Sequence, residues 1–212
     1  FNFALSQDIA GLGGDVKYLR TETSASFYRG IWKSVVASAR FSGGYVFPLE
    51  NGQGIRINNR FFRGGSNFRG FDVAGLGPRE IIRYVDPDTG ELKVRRLNAL
   101  GGNAYYQGTF ELTLPNFFPE EYGIKSALFL DAGAVGTLRG PDKGLTYYTV
   151  DPTTGGLGVK LTKDAASLRA AAGLSVFWDS PFGPIRFDFS QILRREDYDR
   201  TETFRFSTST RF

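Results

Sequence analysis

The residues best placed to do chemistry together are one arginine and two acids. Arg69 sits in the run Gly64-Gly65-Ser66-Asn67-Phe68-Arg69-Gly70-Phe71, which opens the longest stretch without strand character. Glu111 and Asp131 follow on later segments. Two carboxylates facing one space repel each other unless a cation lies between them. A guanidinium bridges both through forked hydrogen bonds, a geometry that lysine cannot match. Gly64, Gly65 and Gly70 permit a tight backbone path, while Phe68 and Phe71 wedge the tip of the loop. The plain alternative for Arg69 is a solvated loop arginine. Read alone, the two acids would also suit the acid–base pair of a hydrolase. No nucleophile–base pair accompanies them, however, and the arginine already accounts for both, so no enzyme is expected.

The chain has no Cys and no His, which excludes thiolate or imidazole metal sites and the usual Ser–His or Cys–His nucleophile pairs. No glycine-rich loop with a phosphate-binding lysine is present, which argues against nucleotide binding. We therefore expect no catalytic residue, no cofactor and no metal. A formal net charge of +4 without clustered Lys/Arg on one face argues against nucleic acid.

The elements that must position these groups are strands. Apolar and polar residues alternate with period two, segment after segment. Phe1, Phe3 and Leu5 begin the pattern, and Leu19 to Phe27 and Val35 to Tyr45 continue it. After the long segment, Tyr106, Gly108, Phe110, Leu112 and Leu114 oppose Gln107, Thr109 and Glu111. Leu128, Leu130 and Ala132 oppose Phe129 and Asp131. Glu111 and Asp131 thus share the polar register of two strands expected to be adjacent. Leu168 to Trp178, Ile185 to Phe189 and Phe204 to Phe212 complete about eight strands of roughly 9–12 residues, long enough to cross a tilted bilayer path. Asp179, Arg186 and Asp188 read as an ion pair near the turn Ser180-Pro181-Phe182-Gly183-Pro184.

Connections alternate between short turns and long polar loops: residues 62–103, 139–163 and 193–202 are the long ones. Within 62–103, mixed charges around Val85-Asp86-Pro87-Asp88-Thr89-Gly90 suggest an exposed hairpin. No run of about 18 apolar residues marks a membrane helix, and barrel strands conceal their hydrophobicity by alternation. An aromatic content of 15% suits aromatic girdles. A soluble sandwich alternates too, but it would have to bury the charged face of each late strand at high cost, whereas a wet lumen leaves that face hydrated. The expected fold is all-β: an antiparallel transmembrane β-barrel domain spanning residues 1–212, with the long loop entering the lumen.

At this point the residues resemble a family. The run 64–71 is similar to the arginine loop signature of the Omp85 superfamily. Gly75-Leu76-Gly77-Pro78-Arg79 and Ala99-Leu100-Gly101-Gly102-Asn103 resemble the flanks of that loop in its outer-membrane assembly factors, particularly those of alphaproteobacteria. Phe110-Glu111, Phe129-Leu130-Asp131-Ala132-Gly133 and the turn after Trp178 follow in the family's order. Phe68 departs from the usual valine, and Thr208 and Thr210 are more polar than is common in the last strand.

The resemblance implies a sixteen-stranded barrel of which this chain is about the C-terminal half. The N-terminal half and the periplasmic POTRA domains are expected to be absent, in keeping with the lack of any Met. It also implies that Arg69 docks on Glu111 and Asp131, and that the last strand, with Phe204, Phe206 and Phe212, forms a seam that opens laterally. The implied location is the bacterial outer membrane. Implied partners are outer-membrane lipids, β-barrel precursors, assembly-complex lipoproteins, and the N-terminal half of the same barrel or a second copy. A related Omp85 polypeptide translocator, of the TamA or two-partner secretion type, is the alternative. A free-standing eight-stranded barrel is a third.

Overall fold

A computed structural model describes residues 1–11, 17–32, 34–50, 54–115, 119–138, 146–150, 157–181 and 183–208. In chain order its strands are β1 (Asn2–Ala10), β2 (Tyr18–Trp32), β3 (Val35–Pro48), β4 (Arg79–Val85), β5 (Leu92–Ala99), β6 (Ala104–Thr113), β7 (Ile124–Gly136), β8 (Thr146–Val150), β9 (Leu157–Lys163), β10 (Arg169–Ser180), β11 (Gly183–Arg194) and β12 (Phe204–Thr208). Eight of them form one antiparallel sheet in the order β1-β2-β3-β6-β7-β10-β11-β12. These are the eight strands expected from alternation, and the all-β antiparallel architecture holds. The sheet is open, with β1 and β12 as its edges.

Two findings extend the sequence reading. The hairpin expected inside 62–103 is β4–β5, and it belongs to a second sheet, β5-β4-β9-β8. The segment 139–163, read as a polar connection, supplies β8 and β9. The physical reason lies in its ends. Thr146-Tyr147-Tyr148-Thr149-Val150 is rich in β-branched and aromatic residues, and Leu157, Val159 and Leu161 alternate. β9 then pairs with β4 from Tyr84↔Gly158 to Arg79↔Lys163.

Alternation decides what each face of the large sheet meets. Phe27, Phe41, Phe110, Leu128, Phe189, Phe204 and Phe206 all point out and are exposed. Neighbouring strands stack them: Phe41 lies edge-on to Phe110 at 5.4 Å, and Phe189 lies 5.1 Å from Phe204. Exposed large apolar side chains on every strand of the sheet suit lipid better than water. Among the described residues no helix is long and apolar enough to cross a membrane.

The core lies on the other face. Val46, Tyr105, Val135 and Ala171 from the strands pack with Ile55, Phe61, Phe68, Phe71 and Leu76 from the segment between β3 and β4. That segment folds back onto the inner face of the sheet and is pinned by isolated bridges, Phe61↔Gly102 and Arg63↔Leu76. The tip of the long loop is therefore interior structure, with Phe68, Phe71 and Leu76 packed into the core.

Candidate functional site

The loop tip is shaped before it is docked. Gly64, Gly65 and Gly70 all take positive φ, at 125°, 69° and 85°. The Gly65 N–H donates to the Phe71 carbonyl at 2.7 Å, and the Gly64 N–H donates to Asn67 Oδ1 at 2.9 Å. Gly70 has a second reason to be glycine: a Cβ there would come within 2.8 Å of Ala171 Cβ and Ile192 Cδ1. Phe68 and Phe71 are fully buried and meet edge-on at 5.3 Å. The tip is closed by its own hydrogen bonds and wedged by two rings, and this aims Arg69 at the strands.

Register places the acids to receive it. Across β6 and β7, Thr109 faces Asp131 and Glu111 faces Phe129, so the two acids lie diagonally on the inner face. Arg69 Nε and Nη2 donate to the two Asp131 oxygens at 2.7 and 2.8 Å, and Nη1 donates to Glu111 Oε2 at 2.8 Å. The Arg69 backbone N–H adds a bond to Asp131 Oδ2 at 3.1 Å. The guanidinium stacks over Phe129, with Cζ 3.7 Å from the ring centroid. Gly173 on β10 leaves room for that ring, since a Cβ would press on it at 2.8 Å. The Arg69 and Asp131 side chains are 4% and 2% exposed, against 24% for Glu111. The dominant contact is therefore the buried fork on Asp131, with Glu111 as the wetter arm.

The cluster continues along the inner face. Arg69 Nη1 reaches Ser175 Oγ at 3.3 Å, Ser175 Oγ donates to Asp188 at 2.5 Å, and Arg186 Nε donates to Asp188 at 2.8 Å. Arg186 Nη2 also lies 4.0 Å from Glu111. The expected Arg186–Asp188 pair is thus part of the Arg69 cluster. Asp179, expected with them, is exposed. Beside the cluster is a polar cavity of about 370 Å³ lined by Tyr28, Arg40, Gln107 and Thr109 among others. Such a network holds charge in place. Among the described residues no group of three or more metal-ligating side chains comes together. At the far tip of the β4–β5 hairpin, the ion pair with Lys93 holds the Asp86 carboxyl below the usual carboxylate range.

A second buried pair escaped sequence reasoning. Arg169 Nε and Nη2 donate to Asp199 at 3.0 and 3.3 Å, and both side chains are fully buried. Arg169 lay visibly in the polar register of β10, but Asp199 falls in an aperiodic loop where no register signals its direction. Of the expected seam residues, Phe204 and Phe206 lie exposed on edge strand β12, against Phe189 and Phe187 of β11. Phe212 lies outside the described residues.

A sheet with an aromatic outer face and a polar inner face occupied by its own loop defines a transmembrane β-barrel architecture. Comparison with known proteins agrees. The sequence model of the Omp85 superfamily domain matches residues 1–212. Outer membrane protein assembly factor BamA of Neorickettsia risticii is 35% identical over 204 residues, covering 96% of this chain and 23% of that protein. BamA of Neisseria meningitidis is 29% identical, covering 81% of this chain and 20% of its own length. The human sorting and assembly machinery component 50 homolog is 29% identical, covering 61% of this chain and 26% of its own length. The crystal structure of BamA from Haemophilus ducreyi lacking POTRA domains 1–3 matches in fold with a TM-score of 0.72. That match has 23% identity and covers 96% of this chain and 37% of that one.

The chain belongs to the Omp85 superfamily. It is a β-barrel protein of the bacterial outer membrane, and it spans 20% to 26% of the length of these curated relatives.

Proposed function

We propose that the chain is the C-terminal barrel portion of a non-enzymatic assembly factor that inserts and folds β-barrel precursors in the outer membrane. In this reading Arg69, with Phe68, Gly70 and Phe71 around it, is an internal latch. Docked on Asp131 and Glu111, it keeps the long loop inside and the wall of the sheet in one shape. The single observation that carries the reading is the buried fork of Arg69 on Asp131. An arginine that served the surface would not be desolvated against two strands.

Strand β12 is the other working part. As an edge of the sheet it presents backbone N–H and C=O groups that a precursor strand would extend by β-augmentation. An open edge is untenable in lipid, so β12 closes on a complementary strand at rest and opens laterally to receive substrate. That complement is the N-terminal half of the same barrel or a second copy. No nucleotide enters this scheme. Burial of precursor side chains in lipid and satisfaction of backbone hydrogen bonds supply the free energy. Accessory lipoproteins of the assembly complex and outer-membrane lipids complete the partners.

The test is complementation of a depleted strain with the intact gene carrying Arg69→Glu, alone and with Asp131→Arg. The single change should reduce heat-modifiable, folded reporter barrels, and the pair should restore part of that loss. Wild-type reporter levels from Arg69→Glu would sink the latch reading.

A further inference from the structure

The Arg169–Asp199 pair sits where the long loop, the wall and the last loop of the chain meet. Every donor of Arg169 is used. Nε and Nη2 bind Asp199, Nη1 binds the carbonyls of Ala165 and Ser167 at 2.6 and 2.8 Å, and Nη2 also binds Tyr198 Oη at 3.1 Å. All five N–H groups of the guanidinium are thereby engaged in a fully buried setting. Asp199 is shared in turn. Besides Arg169, it accepts from the Gly77 N–H of the long loop at 3.3 Å and from the Glu196 N–H of its own loop at 2.7 Å. One carboxylate thus ties β10, the Arg69 loop and the loop between β11 and β12.

From Asp199 the chain runs beside the Arg69 loop as a short ladder. The Arg200 N–H donates to the Gly75 carbonyl at 2.7 Å, the Asp72 N–H to the Arg200 carbonyl at 3.1 Å, and the Glu202 N–H to the Gly70 carbonyl at 3.0 Å. Phe71 and Thr201 form a bridge between the first and last of these bonds. Gly70 follows Arg69 directly, so docking of Arg69 fixes the carbonyl that receives Glu202. Two residues beyond Glu202, strand β12 begins. It pairs with β11 from Phe189↔Phe204 to Ile185↔Thr208, whereas β11 runs on to Arg194. The chain is therefore held by the loop first and joins β11 only from Thr203, whose carbonyl accepts from the Ser190 N–H at 2.7 Å.

We propose that Arg169 and Asp199 are a positioning pair that sets the start and register of the seam strand, and that this pair and the Arg69 latch act as one unit through the ladder at residues 70–75 and 199–202. The inference rests on the latch reading above and adds to it the means by which the latch reaches the seam. Freeing either arginine loosens the approach to β12 more than it loosens the distant strands.

The experiment is amide hydrogen exchange on the intact protein in detergent micelles. Asp199→Asn keeps the shape of the side chain and weakens the pair. It should speed exchange at Arg200, Glu202 and Phe204 to Thr208 by about tenfold or more beyond any change at the β2–β3 amides, because local openings are released unit by unit. Arg69→Ala should move the same amides, and the double variant should exceed the larger single change by less than the two effects multiplied, the sign of shared coupling. If Asp199→Asn yields no folded protein, Arg169→Lys, which keeps the charge and loses the fork, is read at the same amides. Exchange that rises uniformly across the sheet, or stays unchanged at 200–208, overturns the proposal. So do two single changes whose effects multiply independently. Exchange is read whatever the assembly activity, so failure of the assembly reading appears in complementation alone, and failure of this inference in the exchange pattern alone.

Discussion

Replacing Arg69 with alanine removes three charge-assisted hydrogen bonds of 2.7 to 2.8 Å and the stacking on Phe129. The consequences for the two acids differ. Glu111 is partly exposed and has Arg186 within 4.0 Å, so it rehydrates and re-pairs at small cost. Asp131, 2% exposed, keeps the backbone N–H at residue 69 and loses its counter-charge. Stranding one partner of a buried pair costs about 3–5 kcal/mol. The adjoining polar cavity gives water a route to Asp131, which places the loss near the lower end, about 3 kcal/mol. With a urea slope of about 2–3 kcal/mol per M, the midpoint should fall by about 1–1.5 M. The assay is urea titration in detergent or lipid followed by the gel shift between folded and unfolded forms. Arg69→Lys should fall between wild type and alanine, since it keeps charge and loses the fork. A midpoint for Arg69→Ala within about 0.3 M of wild type, roughly 1 kcal/mol or less at that slope, would refute the reasoning.

Other outcomes follow from the same geometry. Asp131→Asn should cost about 3 kcal/mol and Glu111→Gln about 1 kcal/mol in the same titration, because the first leaves the buried Arg69 only the wetter Glu111 as counter-charge while the second removes only that wetter arm. Gly70→Ala combines positive φ with contacts under 3 Å and should cost about 2–4 kcal/mol; Gly90→Ala, with positive φ but open space, should cost about 1 kcal/mol and only locally. Phe110→Lys on the outer face should lower stability by about 2–4 kcal/mol in bilayers, while Thr109→Lys, facing the polar cavity one residue away, should change it far less.

How much of this is legible in the sequence depends on register. Period-two alternation is a strong constraint, so the side of β6 and β7 on which Glu111 and Asp131 lie can be read directly. So can the outward set that includes Phe41, Phe110 and Phe189. Pairing of β6 with β7 was expected from adjacency along the chain, and the Phe129 shelf beneath Arg69 follows from the same alternation. The β8–β9 hairpin carried a local signal, the β-rich run at 146–150, but a long polar connection around it masked the signal. Asp199 was beyond reach for a different reason. Loop residues have no periodicity, and its partner Arg169 is thirty positions back on a strand whose inner face could be seen but whose counter-charge could not. The ladder between residues 70–75 and 199–202 is backbone pairing between two aperiodic segments, which side-chain patterns do not encode.

The central claim, that Arg69 and Asp131 act as one buried unit, is tested most directly by a double-mutant cycle. Unfolding free energies are measured for wild type, Arg69→Ala, Asp131→Ala and the double variant under one set of conditions. A coupling energy of at least about 2 kcal/mol is the predicted result, since each single change strands the other partner and the double change strands neither. A coupling below about 0.5 kcal/mol, the level at which independent sites simply add, would contradict it.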